Sequence, residues 1–201
     1  MLIFKMNLHT SMAHCFCAVV GALAVLCGSC ASTARQVDAE KTVYITNTKK
    51  IVLLPPQCMD GTIDALQFFT GTFGERTFSA RVYLHADAET ISLMLLNDFG
   101  VDMGTLTYTN TVISFDSAYI PKKLKPQYIV ADLQSAYYQI ESLKTLYGQS
   151  GLSFIEEISD FATVRKIFDN SRCIETITRQ NGSVTIQNHL RGYTYTLEAE
   201  P

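Results

Sequence analysis

Cys30 is the residue whose surroundings most clearly predict a chemical modification. It follows Gly28 and Ser29, and the apolar run Cys15–Leu26 precedes these small residues. A cysteine that is to carry a lipid must enter the pocket of the lipoprotein signal peptidase with little bulk directly upstream. The spacing therefore predicts that residues 1–29 are a signal peptide and that a lipid, such as palmitate, is attached at Cys30.

The length of the apolar run favours export over membrane spanning. A run this short does not cross about 30 Å of hydrocarbon as an ordinary helix, but it has the length of a signal-peptide core. Ordinary cleavage between Ala31 and Ala34 and an uncleaved anchor remain alternatives, and Met6 or Met12 is an alternative start. Ser32, with no Asp directly after the cysteine, predicts a lipid-anchored chain at the outer membrane that faces the periplasm.

Export would also allow the two remaining cysteines to form a disulfide. The cysteines upstream of Cys30 leave with the signal peptide, so the mature chain keeps Cys58 and Cys173. An even pair in an oxidising compartment is a possible disulfide. Two separate buried thiols are the alternative, and thiol labelling before and after reduction distinguishes them.

The remaining side chains do not predict catalysis. His85 and His189 each lack a Cys, Asp or Glu at the spacing of metal ligands, so no metal site or other cofactor is expected. Glu156 and Glu157 are adjacent, so on a strand they point to opposite faces and do not act as an acid–base pair. No Gly-x-Ser-x-Gly motif occurs. We therefore expect a protein that is not an enzyme.

Charge gives no sign of a nucleic-acid partner. The chain has 16 basic and 19 acidic residues, and its net charge is -3. Proteins that bind nucleic acid through phosphates carry clustered basic residues. The expected partners are instead the membrane, through the N-terminal lipid, a possible lipid or acyl ligand, and a possible envelope protein.

Period-two alternation of apolar residues dominates the mature chain and predicts antiparallel strands. In the segment 77–87 one face is apolar, from Phe78 to Ala86, and the other face is polar. Asn181-Gly182 lies between two such segments and is typical of a type I′ hairpin turn. We expect about five strands, a helix and about five more strands in one domain, residues 43–201, after a flexible tether, residues 30–42.

One segment, residues 126–148, has the spacing of a helix. Apolar residues recur along one face, and Pro126 and Gly148 suit its start and its end. The predicted fold is therefore mainly β, an antiparallel curled sheet or open half-barrel that is covered by this helix.

The apolar face of the helix must be buried against the sheet. A tight fit makes a core, whereas a loose fit encloses an apolar cavity for an acyl chain or a similar ligand. Asp132 and Gln134 lie off this face, and they either fix the helix to a loop or contact a ligand. The candidate cavity residues are Phe68, Leu84, Leu93, Leu133, Tyr137 and Ile140.

The stretch 128–138 resembles the helix of a bacterial lipoprotein family of unknown function whose genes often lie beside those for aryl-polyene pigments. In that family an Ala-Asp-Leu-Gln run precedes paired aromatic residues, commonly Tyr-Trp. Here Tyr138 stands where Trp is usual, and Gln139 stands where Pro is usual. The matching positions are Asp132, Leu133, Gln134, Tyr137 and Tyr138, with Leu54-Pro55-Pro56, Gly104–Tyr108 and Pro121 as weaker matches.

The resemblance spans roughly residues 50–197 and implies an architecture similar to the lipoprotein carriers LolA and LolB. Their open half-barrel is capped by helices and holds acyl chains. The sequence thus favours an outer-membrane-anchored lipoprotein that binds or transfers a lipid, an acyl chain or a lipoprotein. The alternative is a structural or assembly lipoprotein that binds another envelope protein, and an acyl-modifying enzyme would need a polar cluster in the cavity.

Overall fold

The structure of the chain is a computed structural model, and it describes residues 41–110, 112–117 and 125–200. Cys30, the signal peptide and nearly all of the predicted tether lie outside these residues, so they stay predictions. In the described part, no helix is both long and apolar enough to cross a membrane.

Twelve strands and two α-helices make up the described residues, with a short 3₁₀ turn at Pro56–Cys58. The helices are α1 (Pro126–Tyr137) and α2 (Ile140–Gln149). The strands are β1 (Thr42–Tyr44), β2 (Lys50–Val52), β3 (Ile63–Phe73), β4 (Arg76–Ala86), β5 (Thr90–Leu96), β6 (Asp102–Thr109), β7 (Ile113–Asp116), β8 (Ser153–Ile158), β9 (Thr163–Asp169), β10 (Arg172–Gln180), β11 (Ser183–Asn188) and β12 (Tyr193–Ala199).

Ten of these strands form one antiparallel sheet in the order β7-β6-β5-β4-β3-β12-β11-β10-β9-β8, and it is not closed into a barrel. Hairpins make β3 to β7 before the helices and β8 to β12 after them, and the pairing of β3 with β12 joins the two halves. β1 and β2 form a separate two-stranded sheet. The predicted mainly β fold is confirmed, and the large sheet has the expected five strands on each side of the helical segment, with β1 and β2 in addition.

The large sheet curls around α1. This helix contacts β7 and also β10 and β11. In a flat sheet β7 and β10 would be about 34 Å apart, because neighbouring strands are about 4.8 Å apart. A helix of this length is only about 18 Å long, so both contacts require a curled sheet. We call the face toward α1 the inner face.

Alternation places the apolar side chains on the inner face as predicted. In β4, Ala80, Val82, Leu84 and Ala86 are buried, whereas the side chains between them are partly or fully exposed. The predicted turn at Asn181-Gly182 is also confirmed: their φ angles are 51° and 75°, the positive values that a type I′ turn requires.

The single helix predicted for residues 126–148 is wrong, because the chain leaves the helix at Tyr138. Tyr138 has extended backbone angles and pairs with Met59 in an isolated β-bridge. Beside the bridge, the Asp60 N–H donates to the Tyr137 carbonyl at 3.0 Å, and the Gln139 N–H donates to the Cys58 carbonyl at 2.9 Å. A loop distant in sequence thus provides backbone partners that compete with continuation of the helix.

The two ends of the helical segment differ in how well they follow the prediction. Pro126 occupies the first turn of α1, as predicted. At the other end α2 continues past Gly148 to Gln149, and Gly151, with φ of 70°, adopts the left-handed conformation after the helix. Glycine is the usual residue there because it lacks a Cβ.

Candidate functional site

An apolar cavity of about 500 Å³ lies between the inner face of the sheet and α1. Its volume is within the range of small-molecule sites. Strands β3 to β7, strand β12 and α1 all contribute to its wall. The lining residues are Phe69, Phe73, Arg76, Phe78, Val82, Leu93, Leu95, Met103, Gly104, Leu106, Phe115, Ile129, Leu133, Tyr195 and Leu197.

The cavity opens at the β3–β4 hairpin. Phe73 and Phe78 line it, yet 45% and 41% of their surfaces are accessible to solvent. Deeper in, Leu106 and Leu197 are almost fully buried. The deep part of the wall is therefore buried, and partly exposed aromatic side chains surround the mouth of the cavity.

Gly71, on the inner face of β3, lets two phenyl rings of the wall lie close to the backbone. A Cβ at Gly71 would lie 2.8 Å from ring atoms of both Phe69 and Phe73. Contacts this short do not occur between real carbon atoms, so a larger residue would displace at least one ring. Gly71 is thus a determinant of the shape of the wall.

Gln134 fixes α1 to the loop that follows β2. Its side-chain oxygen accepts from the Leu54 N–H at 3.1 Å, and its side-chain nitrogen donates to the Leu54 carbonyl at 2.7 Å. Tyr108 also donates to this carbonyl, at 2.8 Å. The interpretation that Gln134 fixes the helix to loop backbone therefore fits the geometry.

Arg165, a residue of β9, holds the C-terminal end of α1. Arg165 is 1% exposed, and its Nη1 donates to the carbonyls of Ser135, Ala136 and Tyr138 at 2.9 to 3.1 Å. The carbonyls of Ser135 and Ala136 are among those that a helix end leaves without partners. The Nε donates to Glu156 at 2.6 Å, which balances the buried charge.

Asp132 links α1 to β12. The residue is 7% exposed, and its carboxyl group accepts hydrogen bonds from Tyr193, at 2.9 and 3.1 Å, and from Tyr195, at 3.1 Å. Burial raises the pKa of Asp132 to about 7, against the opposing effect of the two tyrosine donors and the positive charge of Arg191. Asp132 contacts side chains of the sheet, not the loop backbone that was one of its two expected partners.

The bond to Tyr195 connects Asp132 to the cavity, since the ring of Tyr195 is part of the wall. That ring also packs against Phe69, with centroids 5.5 Å apart, and stacks on Tyr193 at 6.1 Å. Asp132 thus positions a wall residue and does not itself line the cavity.

A second buried carboxyl group, Glu175, lies near Asp132. It accepts from the side-chain amide of Asn188 at 2.8 Å. Burial, and next the negative charge of Asp132, raise the pKa of Glu175 well above its ordinary value. Beside them, Tyr147 and Ser135 share a hydrogen bond of 2.7 Å. This polar cluster lies outside the cavity wall.

Two of the six residues predicted to line a cavity do so: Leu93 and Leu133. Leu84 is fully buried in the core, and Ile140 packs against that core. Phe68 points to the outer face and is 44% exposed, because its neighbour Phe69 takes the inner face. These three predictions are wrong.

The prediction for Tyr137 is also wrong, because Tyr137 does not line the cavity. It packs against the main core and also against a smaller core cluster that contains Ile177, Val184 and Ile186. Tyr138, the last of the five helix positions that carry the family resemblance, is fully buried beside Gln134, whose side-chain nitrogen lies 3.4 Å from the Tyr138 hydroxyl. Tyr138 therefore contributes to the break between α1 and α2.

Sequence reasoning missed most of the wall, although the signal was present. Phe78 and Val82 continue the same apolar face as Leu84, and Leu95 continues the face of Leu93. Following each alternating face to the end of its strand finds these wall residues. The sequence gives no comparable sign for Phe69 and Met103, because neither residue lies in one of the alternating segments.

The other predicted chemistry can be placed as well. Cys58 and Cys173 are free thiols, so the possible disulfide is not formed in the structure. Glu156 and Glu157 point apart as expected, toward Arg165 and Lys166. Within the described residues, no group of three or more His, Cys, Asp or Glu side chains could hold a metal ion.

A family model described as a protein of unknown function, DUF3261, matches residues 64–201. The chain belongs to this family. The match covers the ten-stranded sheet almost from the start of β3, and it covers both helices of the DUF3261 chain. The predicted resemblance to an uncharacterised family is thus confirmed at that level. A search of curated proteins found none that matches the chain.

Proposed function

We propose that this DUF3261 protein binds the hydrocarbon part of a lipid or acyl chain in the cavity between the sheet and α1, as a lipoprotein anchored at the outer membrane. The observation that supports the proposal best is the cavity itself. About 500 Å³ of space is bounded almost entirely by aliphatic and aromatic side chains. Apolar ligands bind sites of this kind because their surface is removed from water.

The number of methylene groups that the cavity buries sets the affinity that we expect for an acyl chain. Each buried methylene group contributes about 0.8 kcal/mol. A chain of about ten methylene groups therefore gains about 8 kcal/mol before the cost of association, which is at least about 4 kcal/mol. About 4 kcal/mol then remains, so we expect a dissociation constant near 1 mM for ten methylene groups, and each further buried methylene group should tighten binding roughly fourfold.

The predicted lipid on Cys30 places the cavity where such ligands occur. An anchor at the inner leaflet of the outer membrane would keep the domain in the periplasm, between two sources of lipid. The proposal is therefore a non-catalytic envelope protein that holds or passes on an apolar chain.

Native mass spectrometry of the full chain, purified from the cells that make it, tests the binding proposal. We expect bound lipid in the wild type and much less in Leu93→Trp, in which a larger side chain fills part of the cavity. Met94→Trp is the matched control, because Met94 lies next to Leu93 but points to the outer face. A wild-type chain that carries no lipid and binds no apolar fluorescent probe would refute the proposal.

Labelling with radioactive palmitate tests the anchor separately. We expect label in the wild type and in Cys15→Ser, and none in Cys30→Ser. Label that survives in Cys30→Ser would contradict the predicted attachment site without bearing on the cavity.

A second candidate is the binding of another envelope protein at the edge of the sheet. β8 is the last strand of the described sheet, and it carries the exposed side chains Ile155 and Ile158. An unpaired edge can accept a strand from a partner. Crosslinking from Ser153 that recovers one stoichiometric partner, in a protein that carries no lipid, would favour this function.

A further inference from the structure

Arg76 differs from every other described residue of the cavity wall because it is charged. It is the first residue of β4 and pairs with Phe73 across the hairpin. Residues two apart on a strand share a face, so Arg76 lies on the inner face with Phe78 and Val82. The guanidinium therefore belongs to the mouth of the cavity, on the side where the cavity opens.

The Arg76 side chain has no ion pair or hydrogen bond to any described residue. Three other arginines of the sheet have such partners: Arg81 pairs with Glu200, and Arg165 and Arg179 pair with Glu156. The nearest acidic residue in sequence, Glu75, lies in the exposed hairpin turn and does not line the cavity. The cationic group at the mouth is thus available to a ligand.

An apolar depth with one cation at its mouth is complementary to a particular class of molecule. We propose that the ligand is an anionic amphiphile, whose chain lies in the cavity and whose carboxylate or phosphate pairs with Arg76. A guanidinium can donate two parallel hydrogen bonds to either group. A cationic head would be repelled, and a neutral head would gain little. This inference rests on the proposed function and specifies the head group of the ligand.

The contribution of Arg76 is limited by its exposure to water. Exposed ion pairs are weak, whereas hydrogen bonds to charged groups contribute more when water is partly excluded. We therefore expect anionic heads to bind roughly fivefold to tenfold more tightly than neutral heads on the same chain. Added salt should reduce this preference, because it screens exposed charges.

Competition against a neutral apolar fluorescent probe, with the purified full chain, tests the proposal. The competitors are dodecyl phosphate, dodecanoate, dodecanol and dodecyltrimethylammonium, all below the concentration at which they form micelles. Three variants are compared with the wild type: Arg76→Met, Arg76→Lys and Arg172→Met. The last is the matched control, because Arg172 is exposed at the start of a strand and does not line the cavity.

The expected result is a preference for both anions that Arg76→Met abolishes, that Arg76→Lys keeps in part and that Arg172→Met leaves unchanged. Dodecanol should bind the wild type and Arg76→Met equally, which shows that the cavity of the variant is intact. Equal binding of all four heads to the wild type would overturn the assignment of Arg76 but leave the cavity proposal standing. Failure of the probe and of every competitor to bind would instead overturn the proposed function.

A membrane surface is the other place where Arg76 could meet anionic heads. Sedimentation with vesicles of phosphatidylglycerol and phosphatidylcholine distinguishes the two sites. If Arg76→Met weakens sedimentation but leaves competition by dodecyl phosphate unchanged, Arg76 contacts the membrane and the proposal is wrong.

Discussion

The buried carboxyl group of Asp132 should make the stability of the fold depend on pH. Its pKa is raised from 3.8 to about 7 in the folded chain, chiefly because burial disfavours the charged form. The folded state therefore holds a proton that the unfolded state loses between these values. Because the folded state binds more protons, the free energy of unfolding should fall as pH rises from about 4 to about 7 and stay level above that range.

The size of the pH effect on the unfolding free energy follows from the shift in the pKa of Asp132. One pKa unit corresponds to about 1.36 kcal/mol, so the raised pKa of Asp132 corresponds to a loss on the order of 4 kcal/mol across the window. Glu175 contributes in the same direction, because burial and the charge of Asp132 raise its pKa also. An amide at position 132 cannot titrate, and it also removes the repulsion that acts on Glu175.

Urea unfolding of wild type and Asp132→Asn at a series of pH values measures the effect. We expect the variant to show a flatter dependence of the unfolding free energy on pH, so that its stability rises relative to that of the wild type between about pH 4 and about pH 7. Asp98→Asn, a change at an exposed turn, is the control and should leave the slope as in the wild type. Parallel curves for wild type and Asp132→Asn would refute the reasoning.

Three further changes test the supports of the cavity. Gln134→Ala removes both side-chain bonds to Leu54 and should destabilise the fold by about 1 to 3 kcal/mol in urea unfolding, with Gln139→Ala as a milder control. Arg165→Met removes the donor to three carbonyls at the end of α1 and leaves Glu156 with only its longer ion pair to Arg179. We expect a loss of about 1 to 3 kcal/mol, because these carbonyls lose a charged partner; a loss below 1 kcal/mol would contradict this role of Arg165. Gly71→Ala displaces the phenyl rings beside it and should weaken probe binding while it costs less than about 3 kcal/mol of stability. Unchanged probe affinity would show that those rings do not shape the site.

Local sequence was sufficient for the strands and their turns. The alternation that ends in Ala86 and the Asn181-Gly182 turn depend on side-chain types and on backbone conformations within a few residues. The spacing of apolar residues also locates the helical segment correctly, but it does not predict the break at Tyr138. The resemblance already held a sign of it, because the proline that is usual at position 139 disfavours helical geometry in the residue before it.

The candidate site was harder to predict, because its parts come from distant segments. The sequence identifies Asp132 and Gln134 as polar residues off the apolar helix face, and both contribute to holding α1. It does not identify Arg165 or Arg76, since an arginine on a strand carries no sign that it will be buried or will lie at a cavity mouth. Their roles depend on which elements curl against them.

The sequence by itself determined the mainly β architecture and the apolar face of each strand, because both depend on local periodicity, and it predicts the modification at Cys30 from the neighbouring residues. Only the tertiary structure decided that Leu84 fills the core while Leu93 lines a cavity. Both are leucines on the same inner face, directly opposite each other across β4 and β5. Their difference arises from whether other side chains occupy the adjoining space, and that depends on how the sheet curls and where α1 ends.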